Sequence, residues 1–365
     1  MTNGPADPSR AHLDEDVLGV TGIAAARPSR GFTSMQAFQI FLVLLVIVVV
    51  FSALAPGSFL SWSNFRGIAV NTAILAILGV GTTFIITTAG IDLSMGSVLI
   101  FSGVMASITT ERMGDHGWST AIVVILVAIA SGTFWGMVNG FVVAKMKVPA
   151  MIATLGTFIA VLGFAQVLTD GIDRRAVPSV LVESVGFGRV FGIPILVLVA
   201  AVIVTIGAIM FARTKFGLYT RAVGSNAEAC RRVGINVDRH LIKVYAFAGM
   251  LAGIAGIVNL SFFRSTMIAG HSLTNMDVIA GVVIGGTSLF GGIGSVIGTV
   301  VGLFIPTTLR NGFIILGIEP YWQQVAVGFF MIAAVYLDQT RRAAAARGLR
   351  QRSLLSRLAG RGKED

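Results

Sequence analysis

The stretch IPILVLVAAVIVTIGAIMFA, residues 193–212, carries no charged side chain. As a helix it is long enough to cross the hydrocarbon core of a membrane, which is about 30 Å thick. Similar apolar stretches recur from Gln36 to Leu337, and hydrophobic residues make up 55% of the 365 residues. Only 12% are charged, about half of the roughly 25% in a water-soluble domain. Because a helix satisfies its own backbone polar groups in lipid, the sequence predicts an all-α fold, a polytopic bundle of membrane helices.

About ten spans are predicted, at 36–55, 67–89, 93–110, 119–144, 150–170, 193–212, 243–263, 276–290, 294–315 and 321–338. Whether the shortest, 276–290, crosses fully stays open. Arg27 and Arg30 precede the first span, and an even number of spans returns the chain to the same side, so both termini are expected in the cytoplasm. The predicted division is a cytoplasmic tail (1–35), a transmembrane domain (36–340) and a basic cytoplasmic tail (341–365).

Charge and reactive residues exclude several classes of function. The net charge of +10 comes from Lys and Arg in connecting segments and the C-terminal tail, which indicates orientation in a membrane rather than binding to nucleic acid. One cysteine, Cys230, and four scattered histidines argue against a disulfide framework and a metal site. The chain has no G-x-x-x-x-G-K-[ST] phosphate loop and no recognisable catalytic constellation. An enzyme is therefore the last of the functions considered.

Glycines recur at every fourth position in two of the predicted spans. They are Gly132, Gly136 and Gly140 in one span, and Gly294, Gly298 and Gly302 in the other. Small residues at this spacing let helix backbones approach closely. The spacing favours packing inside one bundle, with packing between two copies as the alternative.

Two similar segments, TTAGIDLSMGSV (87–98) and IGGTSLFGGIGSV (284–296), place a turn before a new apolar run. In the second we expect turns or caps at Gly291, Gly292 and Gly294. Asp92 is expected to cap the N-H groups that begin the third span, with an intramembrane proton carrier as the alternative. Asp277 is expected to complete a T-x-x-D capping box with Thr274.

The segment GSNAEACRRVG, residues 224–234, is predicted to form a short helix outside the membrane. Ser225 and Glu228 have the spacing of a capping box, Gly234 suits a helix end, and Arg231 and Arg232 lie in the last turn. Isolated helices this short are marginal in water. One interpretation rests the helix on lipid headgroups, but such helices have a broad apolar face of large residues. Small residues here favour docking into a soluble partner instead.

At this point the sequence is similar to a known family. FGLYTRAVGSNAEACRRVGINVDRHLIKVYAFAGMLAGIAG (216–256) resembles the cytoplasmic coupling segment of permease subunits of ABC importers for sugars, in the ribose, xylose and galactose branch. GTTFIITTAGIDLSMGSVLIFSG (81–103), MDVIAGVVIGGTSLFGGIGSVIGT (276–299) and PYWQQVAVGFFMIAAVYLD (320–338) resemble the same family. The resemblance covers about residues 36–340.

The resemblance implies a permease of the bacterial inner membrane that translocates a monosaccharide, such as ribose, xylose or a related sugar or polyol. It implies a second permease subunit, identical or different, two cytoplasmic ATPases that hold the ATP and Mg²⁺, and an extracytoplasmic sugar-binding protein. The chain itself is expected to bind no cofactor. Its coupling segment is 213–243, and the residues expected to shape it or contact the ATPase are Gly217, Arg221, Gly224, Ser225, Asn226, Glu228, Arg231, Arg232, Gly234 and Asn236.

Uncharged polar residues in or near the spans are candidates to line a sugar path. They are Asn71, Thr82, Thr83, Thr87, Asn139, Asn259 and Gln324. For each one alone, a hydrogen bond between helices is the alternative. The alternative function is a stand-alone secondary sugar transporter driven by an ion gradient, although ionisable residues inside the spans, which such transporters use, are scarce.

Overall fold

The computed structural model describes residues 30–270 and 274–319, together with 321–326, 328, 329, 332 and 336. Helices dominate this part of the chain. They are α1 (Arg30–Leu54), α2 (Pro56–Phe59), α3 (Trp62–Thr87), α4 (Met95–Met113), α5 (Trp118–Ala144), α6 (Ala150–Thr169), α7 (Ser179–Leu181), a π-helical turn (Val182–Gly186), α8 (Ile195–Arg213), α9 (Lys215–Ser225), α10 (Ala227–Arg232), α11 (Val237–Phe263), α12 (Thr274–Ile284) and α13 (Val296–Ile315). Two-residue strands, β1 (Arg189–Val190) and β2 (Ile193–Pro194), pair antiparallel with Arg189 opposite Pro194.

Six described helices, α3, α5, α6, α8, α11 and α13, are long and apolar enough to cross a membrane. The prediction of a polytopic helical membrane protein is thereby confirmed, and the number of ten spans stays a prediction. The first and third predicted spans coincide with α1 and α4, and part of the tenth, 321–338, lies outside the described residues. The eighth was wrong in extent: the helix ends at Ile284, so α12 has 11 residues and is about 16 Å long.

Helix α11 lies at the centre of the bundle and packs against α3, α4 and α5. The glycine stripe of α5 permits its closest approach. A Cβ at Gly132 would lie 2.3 Å from the Gly249 carbonyl oxygen, and one at Gly136 would lie 2.3 Å from the Tyr245 carbonyl oxygen. In the second stripe, Gly302 packs against Gly281 of α12 and Gly298 against Gly285 just after it, whereas Gly294 precedes α13 and packs against Thr87. Both stripes therefore serve packing within the chain, as their spacing favoured.

The helix ends collect at two opposite ends of the bundle. At one end, the backbone N–H of Gly292, between α12 and α13, donates to the carbonyl oxygen of Thr87 at 2.9 Å. The α9–α10 segment, which we define as residues 214–236, lies at this same end. At the other end, Thr266 follows α11 and exchanges hydrogen bonds with the backbone of Arg174. Asp115 accepts from the N–H of Ser179 at 2.8 Å, and this bond lowers the pKa of its carboxyl group.

Helices α4 and α12 begin next to each other inside the bundle. Asn275, at the start of α12, accepts a hydrogen bond from the N–H of Gly96 and donates one to the carbonyl oxygen of Leu93. Both Asn275 and Asp92 are buried. One side chain from α12 therefore satisfies backbone groups where the chain reverses into α4, a contact that residue spacing does not show.

Candidate functional site: the α9–α10 segment and the cleft at the opposite end

Two short helices, rather than one, form the α9–α10 segment. Helix α9 runs to Ser225, and the side chain of Asn226 accepts a hydrogen bond from the N–H of Ala229 at 2.9 Å to cap α10. The predicted capping box of Ser225 and Glu228 is therefore wrong, because the chain stays helical through Ser225 and Asn226 has the extended backbone that a cap requires. Glu228 instead pairs with Arg232.

The ends of the segment agree with the sequence. Gly234 has φ +85°, the left-handed conformation expected after a helix. The side chain of Asn236 then accepts from the N–H of Arg239 at 2.9 Å and caps α11. Thr214 caps α9 in the same way by accepting from the N–H of Gly217. Three side-chain caps thus fix where each helix begins.

A small apolar core holds the two helices together. It consists of the buried side chains of Val223, Cys230 and Val237, and Ile235 and Leu241 pack against them. Cys230 therefore faces its own chain rather than a partner. On the outside, Val233 is 75% exposed. The outer face of α10 is formed by small or polar side chains, which leaves little apolar area to enter lipid.

Gly224 brings the segment into contact with the end of α3 and with the turn between α12 and α13. A Cβ at this position would lie 1.8 Å from the carbonyl oxygen of Thr87 and 2.7 Å from the N–H nitrogen of Gly292. Gly291 and Gly292 have φ of +82° and +78°, as turn residues. A Cβ at Gly294 would lie 2.3 Å from the Thr87 hydroxyl oxygen. The three predicted turn glycines therefore make a close junction between α3, α9 and the α12–α13 turn.

Aromatic rings connect α9 to three long helices. The ring of Phe84 in α3 lies 5.1 Å from that of Phe211 in α8, 5.5 Å from that of Phe216 in α9 and 5.2 Å from that of Phe247 in α11, measured between centroids. Such distances suit stacked and edge-to-face contacts. A displacement of α9 would therefore disturb its packing against α3, α8 and α11.

Asp238, at the start of α11, joins the segment to the α5–α6 turn by charge. Its carboxylate lies 2.9 Å from Lys147, 3.6 Å from Lys145 and 3.4 Å from Arg231. Both lysines follow the end of α5. One carboxylate thus draws together α10, α11 and the turn after α5.

The remaining predicted coupling residues divide between packing and surface. Gly217 is buried where α8 turns into α9, and a Cβ there would lie 2.1 Å from the carbonyl oxygen of Phe211. The guanidinium of Arg221 lies 5.4 Å from the ring centre of Phe211. Glu228, Arg231 and Arg232 are exposed. The predicted set therefore includes residues that shape the segment and residues at its surface.

The seven predicted path residues do not come together. Thr82, Thr83 and Thr87 are buried and donate to backbone carbonyl oxygens one turn earlier. Thr83 also bonds the hydroxyl of Thr299 in α13 at 2.7 Å. These contacts fit the alternative of helix packing.

The other four members of this set are dispersed. Asn139 donates to the hydroxyl of Ser94 at 2.8 Å and is buried. Asn259 is also buried, whereas Gln324 is exposed on the partly described last segment. Asn71 lines the cleft at the opposite end of the bundle.

The two expected aspartate caps have other partners. Asp92 accepts from the N–H and the hydroxyl of Ser94, at 2.7 and 2.6 Å, and both groups precede α4. The prediction that Asp92 caps the helix itself is wrong, because Ser94 is the cap residue. Asp277 lies in the first turn of α12 as expected, but its carboxylate accepts from Arg310 of α13 at 2.8 Å. The capping-box interpretation did not foresee this ion pair.

The cleft lies between α3, α12 and α13 at the end of the bundle opposite the α9–α10 segment. Its volume is about 220 Å³. Polar groups are contributed by Asn71, Asp277, Arg310 and Asn311, and the end of α11 contributes Phe263. Sequence reasoning missed Arg310 and Asn311. The available signal was a lone arginine inside the predicted span 294–315, since ionisable residues within spans are by default functional candidates.

Within the described part of the chain, no three His, Cys, Asp or Glu side chains form a group that could hold a metal ion. The polar side chains of the candidate site form ion pairs, cap helices or line the cleft.

Comparison with known proteins gives consistent matches. The family model described as "Branched-chain amino acid transport system / permease component" matches residues 64–335. The ribose import permease protein of Escherichia coli K12 is 36% identical over 296 residues, covering 79% of this chain and 89% of the relative. The galactose/methyl galactoside import permease protein of Haemophilus influenzae is 32% identical, covering 77% and 88%. The xylose transport system permease protein of E. coli K12 is 31% identical, covering 79% and 88%. No solved structure gives a significant match.

Proposed function

The chain belongs to the permease-component family of branched-chain amino acid transport systems, and we propose that it is the membrane subunit of an ATP-binding-cassette importer for a monosaccharide. As a permease component it is a multi-pass membrane protein and is not itself catalytic. Its sequence has no phosphate loop. ATP and Mg²⁺ therefore belong to two separate ATPase subunits, and a binding protein outside the membrane delivers the sugar.

A sugar is favoured over a branched-chain amino acid by the names of the relatives. Relatives that match over more than three quarters of this chain are named for ribose, galactose, fructose and xylose. The family description is broader and names amino acids. We assign a pentose or hexose as the transported substrate. Which sugar it is depends on the specificity of the binding protein that accompanies the permease.

The proposed topology has ten crossings and both termini in the cytoplasm. In it, the eighth crossing includes α12. Contacts between Gly224, Thr87 and Gly292 support this arrangement, because they require the α12–α13 turn and the end of α3 to share a side with the α9–α10 segment. Lys and Arg concentrated in that segment favour the cytoplasmic side. The chain pairs with a second permease subunit in the membrane.

The α9–α10 segment is the proposed coupling element, and its contact with several helix ends is the observation that carries this proposal. Phe216 joins it to α3 and α11, and α9 packs against α8. Gly224 joins it to the α12–α13 turn, and Asp238 joins it to the turn after α5. When the ATPases close on ATP, a shift of α10 moves these helix ends together. Coupling requires that the ATPase contacts α10 differently in its two states.

The roles of the segment's residues follow from where they lie. Asn226, Gly234 and Asn236 define its helix boundaries, while Gly217 and Gly224 permit its close packing. Exposed Glu228, Arg231 and Arg232 are the proposed contacts with the ATPase, to which they offer charge-assisted hydrogen bonds.

Reconstitution tests this function. The chain is placed in liposomes with the ATPase and binding protein encoded beside it, and uptake of labelled ribose, xylose, galactose, fructose and leucine is measured with and without ATP. We expect ATP-dependent uptake of at least one sugar and no uptake by the chain alone under a proton or sodium gradient. Uptake of leucine only, or accumulation of sugar by the chain alone, would contradict the proposal.

A further inference from the structure

We propose that the cleft between α3, α12 and α13 is a contact site for the transported sugar, with Asp277, Arg310 and Asn311 as its hydrogen-bonding groups. This inference rests on the proposed function and adds the residues that meet the sugar within the membrane subunit.

The size and lining of the cleft suit a small polar ligand. Its volume of about 220 Å³ is below the roughly 300–1,000 Å³ of pockets for drug-sized ligands. Apolar side chains from α3 and the end of α11, including Ile74, Leu75 and Phe263, form part of the wall. A monosaccharide has both apolar C–H faces and a ring of hydroxyl groups, so a wall with both kinds of surface matches it.

The ion pair provides donors and acceptors without net charge. Asp277 is buried, with 7% of its side chain exposed, whereas 42% of the Arg310 side chain is exposed. The bond between them uses one guanidinium nitrogen, and a guanidinium has five N–H groups in a planar fork. The pair is therefore held in place on the α12 side and can donate to hydroxyls on the cleft side. A neutral ligand with several hydroxyl groups suits such a pair, because a site with a net charge would favour ions over neutral ligands.

Asn311 adds a buried acceptor. Its Oδ1 atom is inaccessible to solvent and has no hydrogen-bond partner among the described residues. A buried carbonyl oxygen without a hydrogen-bond partner is unfavourable, so a bound group that donates a hydrogen bond to it gains affinity. Asn311 also lines the cleft beside Arg310, so a rotation of its side-chain amide toward the cleft would let a sugar hydroxyl donate to this oxygen.

The cleft is connected to the coupling segment through α12. Asp277 lies in the first turn of this 11-residue helix. Beyond its other end, Gly291 and Gly292 contact Gly224 and Ser225 of the α9–α10 segment. A rigid helix of about 16 Å therefore has the cleft at one end and the coupling contact at the other. A shift of the coupling segment relative to α13 changes the distance between Asp277 and Arg310, which gives the sugar different contacts in the two states.

Transport by the complete complex in liposomes tests this assignment with two variants. Asn311→Leu removes the acceptor at similar volume, and Arg310→Lys keeps the charge but removes the planar fork. Arg174→Lys is the matched control, since Arg174 pairs with Glu111 at the same end of the bundle but outside the cleft. Uptake rates for ribose, xylose, galactose and fructose are measured with saturating binding protein, together with ATPase activity and thermal unfolding of the permease.

We expect Asn311→Leu to slow uptake about 3- to 10-fold, the effect of one neutral hydrogen bond. Arg310→Lys should slow it by at least as much. In both variants the ratio of uptake rates between two transported sugars should change, while the ATPase remains stimulated by sugar-loaded binding protein. Arg174→Lys should leave these ratios unchanged.

A purely structural role has a different signature. It would lower the unfolding temperature and slow all sugars by the same factor, and that result overturns the assignment, as do variants that behave like Arg174→Lys. If Arg310→Lys fails to insert, Asn311→Leu alone decides. If the unaltered complex moves no sugar, the proposed function fails rather than the cleft assignment, so the two failures are distinguishable.

Discussion

Replacing Gly224 with alanine adds one methyl group at the closest contact between the α9–α10 segment and the membrane helices. The new carbon would lie 1.8 Å from the carbonyl oxygen of Thr87, whereas an ordinary contact begins at 3.4 Å. The two backbones must therefore separate by about 1.6 Å, because neither a helix end nor a close-packed turn can yield by side-chain rotation.

The cost follows from the contacts that this separation disrupts. Overpacking of this kind costs about 1–3 kcal/mol. Displacing Thr87 also strains its hydrogen bond from the N–H of Gly292, 2.9 Å long and worth about 1 kcal/mol. We expect the helix bundle to keep its fold under this loss, whereas the junction between α3, α9 and the α12–α13 turn does not keep its geometry. We expect ATP-driven uptake to fall at least about 10-fold, the effect of roughly 1.4 kcal/mol on one step.

The assay compares Gly224→Ala with Gly156→Ala in α6, where a Cβ would have no atom within 4 Å. Membrane insertion, ATPase activity and uptake are measured for both in the reconstituted complex. The control should transport at the normal rate. Normal uptake by Gly224→Ala, at normal thermal stability, would refute the claim that this junction transmits the movement.

Three further substitutions test individual contacts. Asn226→Ala removes the cap of α10 and should lower the free energy of unfolding by about 0.5–2 kcal/mol, measured by thermal unfolding. Ser225→Ala should have little effect. A larger loss from Ser225→Ala than from Asn226→Ala would instead support the capping box of Ser225 and Glu228. Asp238→Asn should slow uptake modestly, because exposed ion pairs contribute about 0–1 kcal/mol each. It should also make the uptake rate less sensitive to salt concentration, because salt screens these pairs. An unchanged dependence of uptake on salt would argue against a role for these pairs. Thr83→Val should lower the free energy of unfolding by only about 0.6 kcal/mol, the average for a hydrogen bond between membrane helices. It should leave the ratio of uptake rates between two sugars unchanged. An altered ratio would indicate that Thr83 lines the sugar path.

Hydropathy and glycine spacing predicted much of the fold because both reflect constraints that act along a single helix. Six apolar runs became six long helices, and the stripe at Gly132, Gly136 and Gly140 packs against α11 as its four-residue period required. The end of α12 was predicted less well. The predicted span extended to Leu289 and Phe290, but Gly286, with φ +94°, lies just after the helix ends at Ile284.

Details of the candidate site depended on contacts between distant residues. Asn226 and Ser225 are both good capping residues, and the preference between them is decided by whether α9 continues to Ser225. Thr82, Thr83 and Thr87 are polar residues in a span, and only packing shows that their hydroxyls bond to their own helix. Asp277 forms an ion pair with Arg310, 33 residues later in the chain. Local residue spacing cannot indicate such a pair.

The most direct test of the central claim is the accessibility of α10. Val233 is 75% exposed and the native Cys230 is buried, so Val233→Cys in a Cys230→Ala background provides a single exposed thiol. It is treated with a membrane-impermeant maleimide in intact cells and in inside-out vesicles, with and without the ATPase. The account predicts labelling only in inside-out vesicles and protection when the ATPase binds. Labelling from outside the cell, or labelling that the ATPase does not change, would contradict it.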